Sequence, residues 1–150
     1  EPLNEVNAVL IAADRGIEVG QATAADDHGY RKYLEVRLEW GDHTSILAGA
    51  VLEGAQARLL RVDGFSVDMA PHGHTLLVWR RNSHVPGIIG RLGTILGDAG
   101  VGISSIQVGN EEIAGVGLLA VRLSEPIPAE IRDAIGDTPD VVRIEVVVFP

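Results

Sequence analysis

Apolar and polar positions in the first half of the chain follow two different periods. Residues 33–40 alternate strictly between large apolar side chains and more polar ones, which predicts a strand with one buried face. Asp63-Gly64 separates two further extended segments and suits the positive φ angles of a type I′ hairpin turn. Upstream, residues 6–13 place apolar side chains three and four positions apart, as on one helix face. This half therefore predicts a helix followed by an antiparallel meander.

The second half follows the order strand, helix, strand, strand, helix, strand. A Pro/Gly break at residues 70–73 separates it from the first half. Pro86 and Pro128 stand where the two helices are expected to begin, because proline fits the first helical position. The order is that of a ferredoxin-like βαββαβ fold, so the predicted class is α+β with two units. The predicted strands cover residues 74–80, 103–109, 116–123 and 141–149.

A stripe of glycines marks the first helix of the second half. Gly90, Gly93 and Gly97 fall on one side of that helix, and each costs about 0.8–1.0 kcal/mol relative to alanine. Their regular placement predicts a close approach, either to the sheet beneath or to a neighbouring chain. The alternative is a poor helix that tertiary packing stabilises.

Charge and composition narrow the classes of partner. The chain has 150 residues, a net charge of −9 and no cysteine. An acidic chain is a poor ligand for phosphate backbones, so nucleic acid is not an expected partner. No apolar run approaches the length of a bilayer span, so a membrane is not expected either. The lack of cysteine excludes disulfides and thiolate metal sites and fits a cytoplasmic protein.

Motifs for catalysis or cofactors do not emerge from the sequence. The glycines of Gly87–Gly93 have the wrong spacing for a dinucleotide turn or a P-loop. His72 and His74 could share one strand face, but no third metal ligand lies near them in the sequence, so no metal site is predicted. The run Arg80–Asn82 has the residue types that an acylphosphatase uses after its first strand, so such an enzyme stays a distant alternative. We predict no catalytic residue and no cofactor in this chain.

Two blocks of the sequence resemble one family in the order in which that family carries them. Residues 77–109 look like the ACT domain that closes bacterial D-3-phosphoglycerate dehydrogenases. Residues 4–19 and 61–68 resemble the intervening, allosteric-substrate-binding domain of the long form of that enzyme. The resemblance implies a partial intervening domain over residues 1–71 and an ACT regulatory domain over residues 72–150. It also implies that the NAD-binding and substrate domains of the parent enzyme lie before residue 1.

The resemblance implies an effector site as well. In the family, ACT domains pair and bind L-serine at their interface. The family's usual aspartate is replaced here by His84, and its usual asparagine by Gly102, so weak serine binding is expected. Carried over to this chain, the effector-binding positions are Asn82, His84, Pro86, Gly87, Gly102 and Ile103.

A second implied site would bind an anion. The long-form intervening domain is associated with basic residues that do so, and the matching positions here are Arg58, Arg61, His72 and Arg122. Together these features predict a non-catalytic regulatory fragment of an enzyme of L-serine biosynthesis. It would form a homo-oligomer through its ACT domain and bind an amino acid or a phosphate-type anion. The alternative is a structural oligomerisation module that has lost effector binding.

Overall fold

The computed structural model of the chain describes residues 3–4, 6–23, 30, 32–81, 86–109 and 115–149. Within these ranges the chain forms three helices and two antiparallel sheets of four strands each. The predicted α+β class, with a ferredoxin-like unit, is confirmed.

The first sheet is a simple meander in which each strand pairs with the next one along the chain. Asp63 and Gly64 form the last turn with φ angles of 48° and 87°, as the predicted type I′ hairpin requires. A bulge interrupts the second and third strands at Gly49, where an added Cβ would lie 2.8 Å from the carbonyl oxygen of Arg58. Ahead of the sheet stands α1 (Ala8–Asp14), and the strands are β1 (Tyr33–Trp40), β2 (His43–Val51), β3 (Ala57–Val62) and β4 (Phe65–Met69).

The second sheet has the strand order of a ferredoxin-like fold. Its order is β6-β7-β5-β8, so the first and last strands of the unit lie side by side and β6 forms one edge. The elements are β5 (Gly73–Arg81), α2 (Ile88–Asp98), β6 (Ile103–Gly109), β7 (Val116–Leu123), α3 (Ala129–Gly136) and β8 (Val141–Phe149).

Two cores lie on opposite faces of this second sheet. On one face, α2 and α3 cover β5 and β7, and the side chains of Leu76, Leu92 and Ile135 are fully buried there. On the other face, Phe65 and Met69 of the first sheet pack against residues such as Trp79. The two sheets are therefore joined face to face by an apolar layer.

The two sheets approach each other closely at Gly109, at the end of β6. An added Cβ there would lie 2.9 Å from the Cβ of Phe65 and 3.1 Å from the Cβ of Leu118. Both distances are shorter than ordinary van der Waals contact, so only glycine fits without a shift of its neighbours.

The start of α2 differs from the prediction. Pro86 was expected at the first helical position, but the helix begins at Ile88. Gly87 precedes it with a φ of 88°, a left-handed conformation that cannot belong to a right-handed helix. The turn at Pro86 and Gly87 therefore delays the helix by two residues.

The glycine stripe of α2 also requires a correction. A Cβ added at Gly90, Gly93 or Gly97 would meet nothing within 4 Å among the described residues. Leu92 and Leu96, on the other side of the helix, are the residues that pack on the sheet. The expected approach of the stripe to the sheet is therefore wrong. Its approach to a neighbouring chain stays a prediction.

Candidate functional site

The predicted effector-binding positions fall at opposite ends of the second sheet. Pro86 and Gly87 follow the end of β5, whereas Gly102 and Ile103 lie where β6 begins, at the end of the sheet where β7 ends and β5 starts. The 11 residues of α2 separate these two ends, a rise of about 16 Å along the helix. One copy of the chain therefore does not bring the two groups of positions together.

Two of the predicted positions, Asn82 and His84, lie outside the residues that the structure describes. Gly87 lies just before α2, and its carbonyl oxygen accepts a hydrogen bond from the amide of Arg91 at 3.0 Å. No side chain caps the start of α2 within the described ranges.

At the other end, Gly102 is held by Ser124, which follows β7. The Gly102 amide donates to the Ser124 hydroxyl at 2.9 Å, and the Ser124 amide donates to the Gly102 carbonyl at 2.8 Å. A Cβ added at Gly102 would lie 2.8 Å from the Ser124 oxygen. Ser124 therefore occupies the space into which a side chain at position 102 would project. Sequence reasoning missed it, because the two residues are far apart along the chain.

Two of the four predicted anion-binding residues meet in the structure. Nη1 of Arg122 lies 3.0 Å from Nε2 of His72, and since arginine can only donate, the histidine nitrogen accepts. Thr75 pairs with Arg122 across β5 and β7, so their side chains lie on the same face of the sheet. Thr75 is fully buried, and its hydroxyl has no hydrogen-bond partner among the described residues. Arg122 therefore contacts an imidazole and lies on the same face of the sheet as a buried hydroxyl.

The other two predicted anion-binding residues lie on the first sheet. Arg58 donates from Nε to a carboxylate oxygen of Asp68 at 2.7 Å and from Nη2 to its carbonyl oxygen at 2.9 Å. Arg61 pairs with Ser66 on β4. Arg58 also lines a groove together with Pro71, the residue before His72. A single anion site built from all four residues stays a prediction.

Arg61 has an electrostatic effect on Tyr33 of β1. Partial burial raises the pKa of the Tyr33 hydroxyl above its ordinary value of 10.0, and the negative charge of Glu35 raises it further. The positive charge of Arg61 acts in the opposite direction. Tyr33, Arg61 and Ser66 line a shallow polar groove on this face of the first sheet.

Comparison with known proteins shows what this chain is similar to. Residues 1–63 match the family described as D-3-phosphoglycerate dehydrogenase intervening domain. A D-3-phosphoglycerate dehydrogenase of Bacillus subtilis is 28% identical over 148 residues, which cover 99% of this chain and 28% of that protein. One from Synechocystis is 34% identical over 146 residues, which cover 89% of this chain and 26% of the relative. The chain is related to the D-3-phosphoglycerate dehydrogenases. The resemblance to their C-terminal regulatory part, predicted from the sequence, is confirmed.

Relatives of this family occur outside the bacteria as well. A D-3-phosphoglycerate dehydrogenase of Methanocaldococcus jannaschii is 29% identical over 97% of this chain. In each case the chain spans only about a quarter of the relative's length. The match to the intervening domain ends at Asp63, in the turn between β3 and β4, whereas the first sheet continues to Met69. The predicted division at residues 71 and 72 stays a prediction.

The described part of the chain contains no group of three or more histidine, cysteine, aspartate or glutamate residues that could hold a metal ion. None of its helices is long and apolar enough to cross a membrane.

Proposed function

We propose that this chain is a non-catalytic regulatory segment of a D-3-phosphoglycerate dehydrogenase. Its parent would be an NAD-dependent dehydrogenase of L-serine synthesis, as the names of the relatives suggest. Because the chain spans about a quarter of those relatives, the oxidation of substrate is assigned to the rest of the parent. The sequence of the segment offers no catalytic motif, so its contribution would be binding and assembly.

The separation of the effector-binding positions supports assembly of two copies. β6 forms an edge of the second sheet and exposes Ile103 and Val108. If two copies pair antiparallel along β6, the Ile103 end of one strand meets the Gly109 end of the other. Gly87 of the second copy lies at that same end, because β5 and β6 run in parallel. Each complete site would then combine the α2 turn of one copy with the start of β6 of the other.

An anion is the effector for which the side chains offer most support. Arg122 is half-buried, contacts His72 at 3.0 Å and lies on the same face as the Thr75 hydroxyl, which has no hydrogen-bond partner in the described part of the chain. A guanidinium makes paired, charge-assisted hydrogen bonds to phosphate or carboxylate oxygens. An amino acid at the ACT interface is the second candidate, and His84 and Gly102 weaken the case for L-serine, because neither replaces the family's ammonium-binding side chain.

Two measurements on the intact chain test the proposal. Light scattering at tens of micromolar, a concentration within the usual range of affinities, should give the mass of a dimer or a larger oligomer. Calorimetric titration should detect binding of phosphate or a phosphorylated hydroxy acid and no saturable binding of NAD. A monomer that takes up neither anion would refute both parts. An oligomer that binds none of these ligands would instead support a structural oligomerisation module.

A further inference from the structure

The helix α1 lacks the packing that its sequence requires. Six of its seven residues are apolar, yet none is buried, and the side chains of Val9 and Leu10 are 60% and 68% exposed. A helix that is apolar around most of its circumference normally lies inside a protein. A helix this short is also marginal in water without tertiary contacts. The apolar side chains of α1 are therefore a surface that the described contacts leave uncovered.

An uncovered apolar surface of the same chain lies on β1 and β2. Leu34, Val36 and Leu38 share one face of β1, with exposures of 68%, 43% and 52%. Leu47 stands opposite Val36 in the register, so it lies on the same face, and it is 41% exposed. Buried faces of sheets carry such aliphatic rows, whereas solvated faces carry polar residues.

This face is a continuation of the layer between the two sheets. Gly49 pairs with Leu34 on one side and with Leu59 on the other, and Leu59 packs in the inter-sheet core. The buried core between the sheets contains residues of β3 and β4 and none of β1 or β2. A groove of about 350 Å³ lies over β1 and β2, lined mainly by aliphatic side chains, and Gly49 and Pro71 are among its lining residues.

We propose that α1 docks with its apolar face in this groove of its own chain. The match to a single domain family covers residues 1–63, which include both α1 and β1 to β3. The 18 residues between Asp14 and Tyr33 span up to about 60 Å when extended, more than twice the length of β1, about 27 Å. A tethered helix also has a high effective concentration at a site that its linker can reach. Docking buries two apolar surfaces that are otherwise exposed.

The absence of cysteine from the chain allows a direct test by cross-linking. The pair Leu10→Cys and Val36→Cys should form an intramolecular disulfide under mild oxidation, seen as faster migration on a non-reducing gel. Leu10→Cys with Arg37→Cys is the matched control, because Arg37 lies on the opposite face of β1. Equal cross-linking of both pairs, or of neither, overturns the proposal. A disulfide between two chains also overturns it, because a second copy's helix would then occupy the groove.

A stability measurement that needs no cysteine gives an independent check. Leu10→Ser should lower the melting temperature by several degrees if Leu10 is buried in the groove. Arg15→Ser, just after the helix, is the control and should change it little, because it changes an exposed polar residue. If the Leu10→Ser and Arg15→Ser variants have the same melting temperature, α1 is not docked.

Discussion

The guanidinium of Arg143 on β8 lies 3.5 Å from the carboxylate of Asp63 in the turn between β3 and β4. It also stacks 4.3 Å from the centre of the Trp79 ring. The other oxygen of Asp63 accepts from the hydroxyl of Ser45 at 2.6 Å and from the amide of Ile46 at 3.0 Å. One aspartate thus closes a turn of the first sheet and links that turn to the second sheet.

This arrangement predicts different costs for two substitutions of Asp63. Asp63→Asn keeps an oxygen acceptor for Ser45 and tolerates the positive φ, so it loses only the ion pair with the half-exposed Arg143, about 0–1 kcal/mol. Asp63→Ala also removes the acceptor and should cost about 1–3 kcal/mol more. Urea unfolding measures both free energies. Equal losses for the two variants would contradict this division.

A second cost is expected at Gly109, where the two sheets lie close together. Gly109→Ala would place a methyl group 2.9 Å from the Cβ of Phe65, and such overpacking costs about 1–3 kcal/mol. Chemical unfolding should show the loss, and amide exchange should show that β4 opens more readily in the variant. Unchanged stability would mean that the sheets are free to move apart.

The glycine stripe of α2 provides the matched control for that substitution. Gly97→Ala adds the same methyl group where no described residue lies within 4 Å, so it should stabilise the single chain by about 0.8–1.0 kcal/mol through helix propensity. If a second copy packs against the stripe, the same change should weaken assembly, which light scattering would detect.

Most strand boundaries could be predicted because their signals are local. The alternation of residues 33–40 and the Asp63-Gly64 turn depend on neighbours within a few positions, and both appear in the structure. The contacts of Gly109 with Phe65 and of Asp63 with Arg143 join residues far apart in sequence, so no local pattern reveals them. Pro86 alone predicts that α2 begins at residue 86. The left-handed conformation of Gly87 moves the start of the helix to Ile88.

The candidate sites were less predictable than the fold, for the same reason. The sequence grouped four basic residues by resemblance, and the structure shows a direct contact between two of them, His72 and Arg122. Arg58 has its own partner in Asp68, 10 positions away on the neighbouring strand. Strand register decides these pairings, and register depends on the whole sheet.

Stabilisation by phosphate should depend on Arg122 more than on Arg58. A ligand that binds only the folded chain raises its stability by about 2.7 kcal/mol at a hundred times its dissociation constant. Arg122→Ala removes the guanidinium beside His72 and should abolish that gain, whereas Arg58 already donates to Asp68. Thermal unfolding with and without phosphate compares the two variants. If phosphate stabilises the Arg122→Ala variant as much as the unmodified chain, the anion binds elsewhere.

The unmodified chain should bind L-serine weakly or not at all. Its ammonium group needs a carboxylate or amide acceptor, and His84 and Gly102 stand where the family has aspartate and asparagine. Each charge-assisted hydrogen bond contributes about 1.5–3 kcal/mol. The loss of both weakens affinity by roughly two to four powers of ten at 1.4 kcal/mol per decade. Calorimetry on the unmodified chain and on the double variant His84→Asp, Gly102→Asn measures the difference. Tight binding of L-serine by the unmodified chain would refute the prediction.

Ser124 limits how much affinity for L-serine the double variant His84→Asp, Gly102→Asn can regain. The Cβ of an asparagine at position 102 would lie 2.8 Å from the Ser124 oxygen and 3.3 Å from its Cβ. That hydroxyl must rotate away and give up its hydrogen bond from the Gly102 amide. Adding Ser124→Ala removes the closer contact, so the triple variant should bind L-serine more tightly than the double variant. Ser124→Ala alone should leave the affinity for L-serine as weak as that of the unmodified chain. If the triple variant binds no better than the double, Ser124 does not restrict position 102.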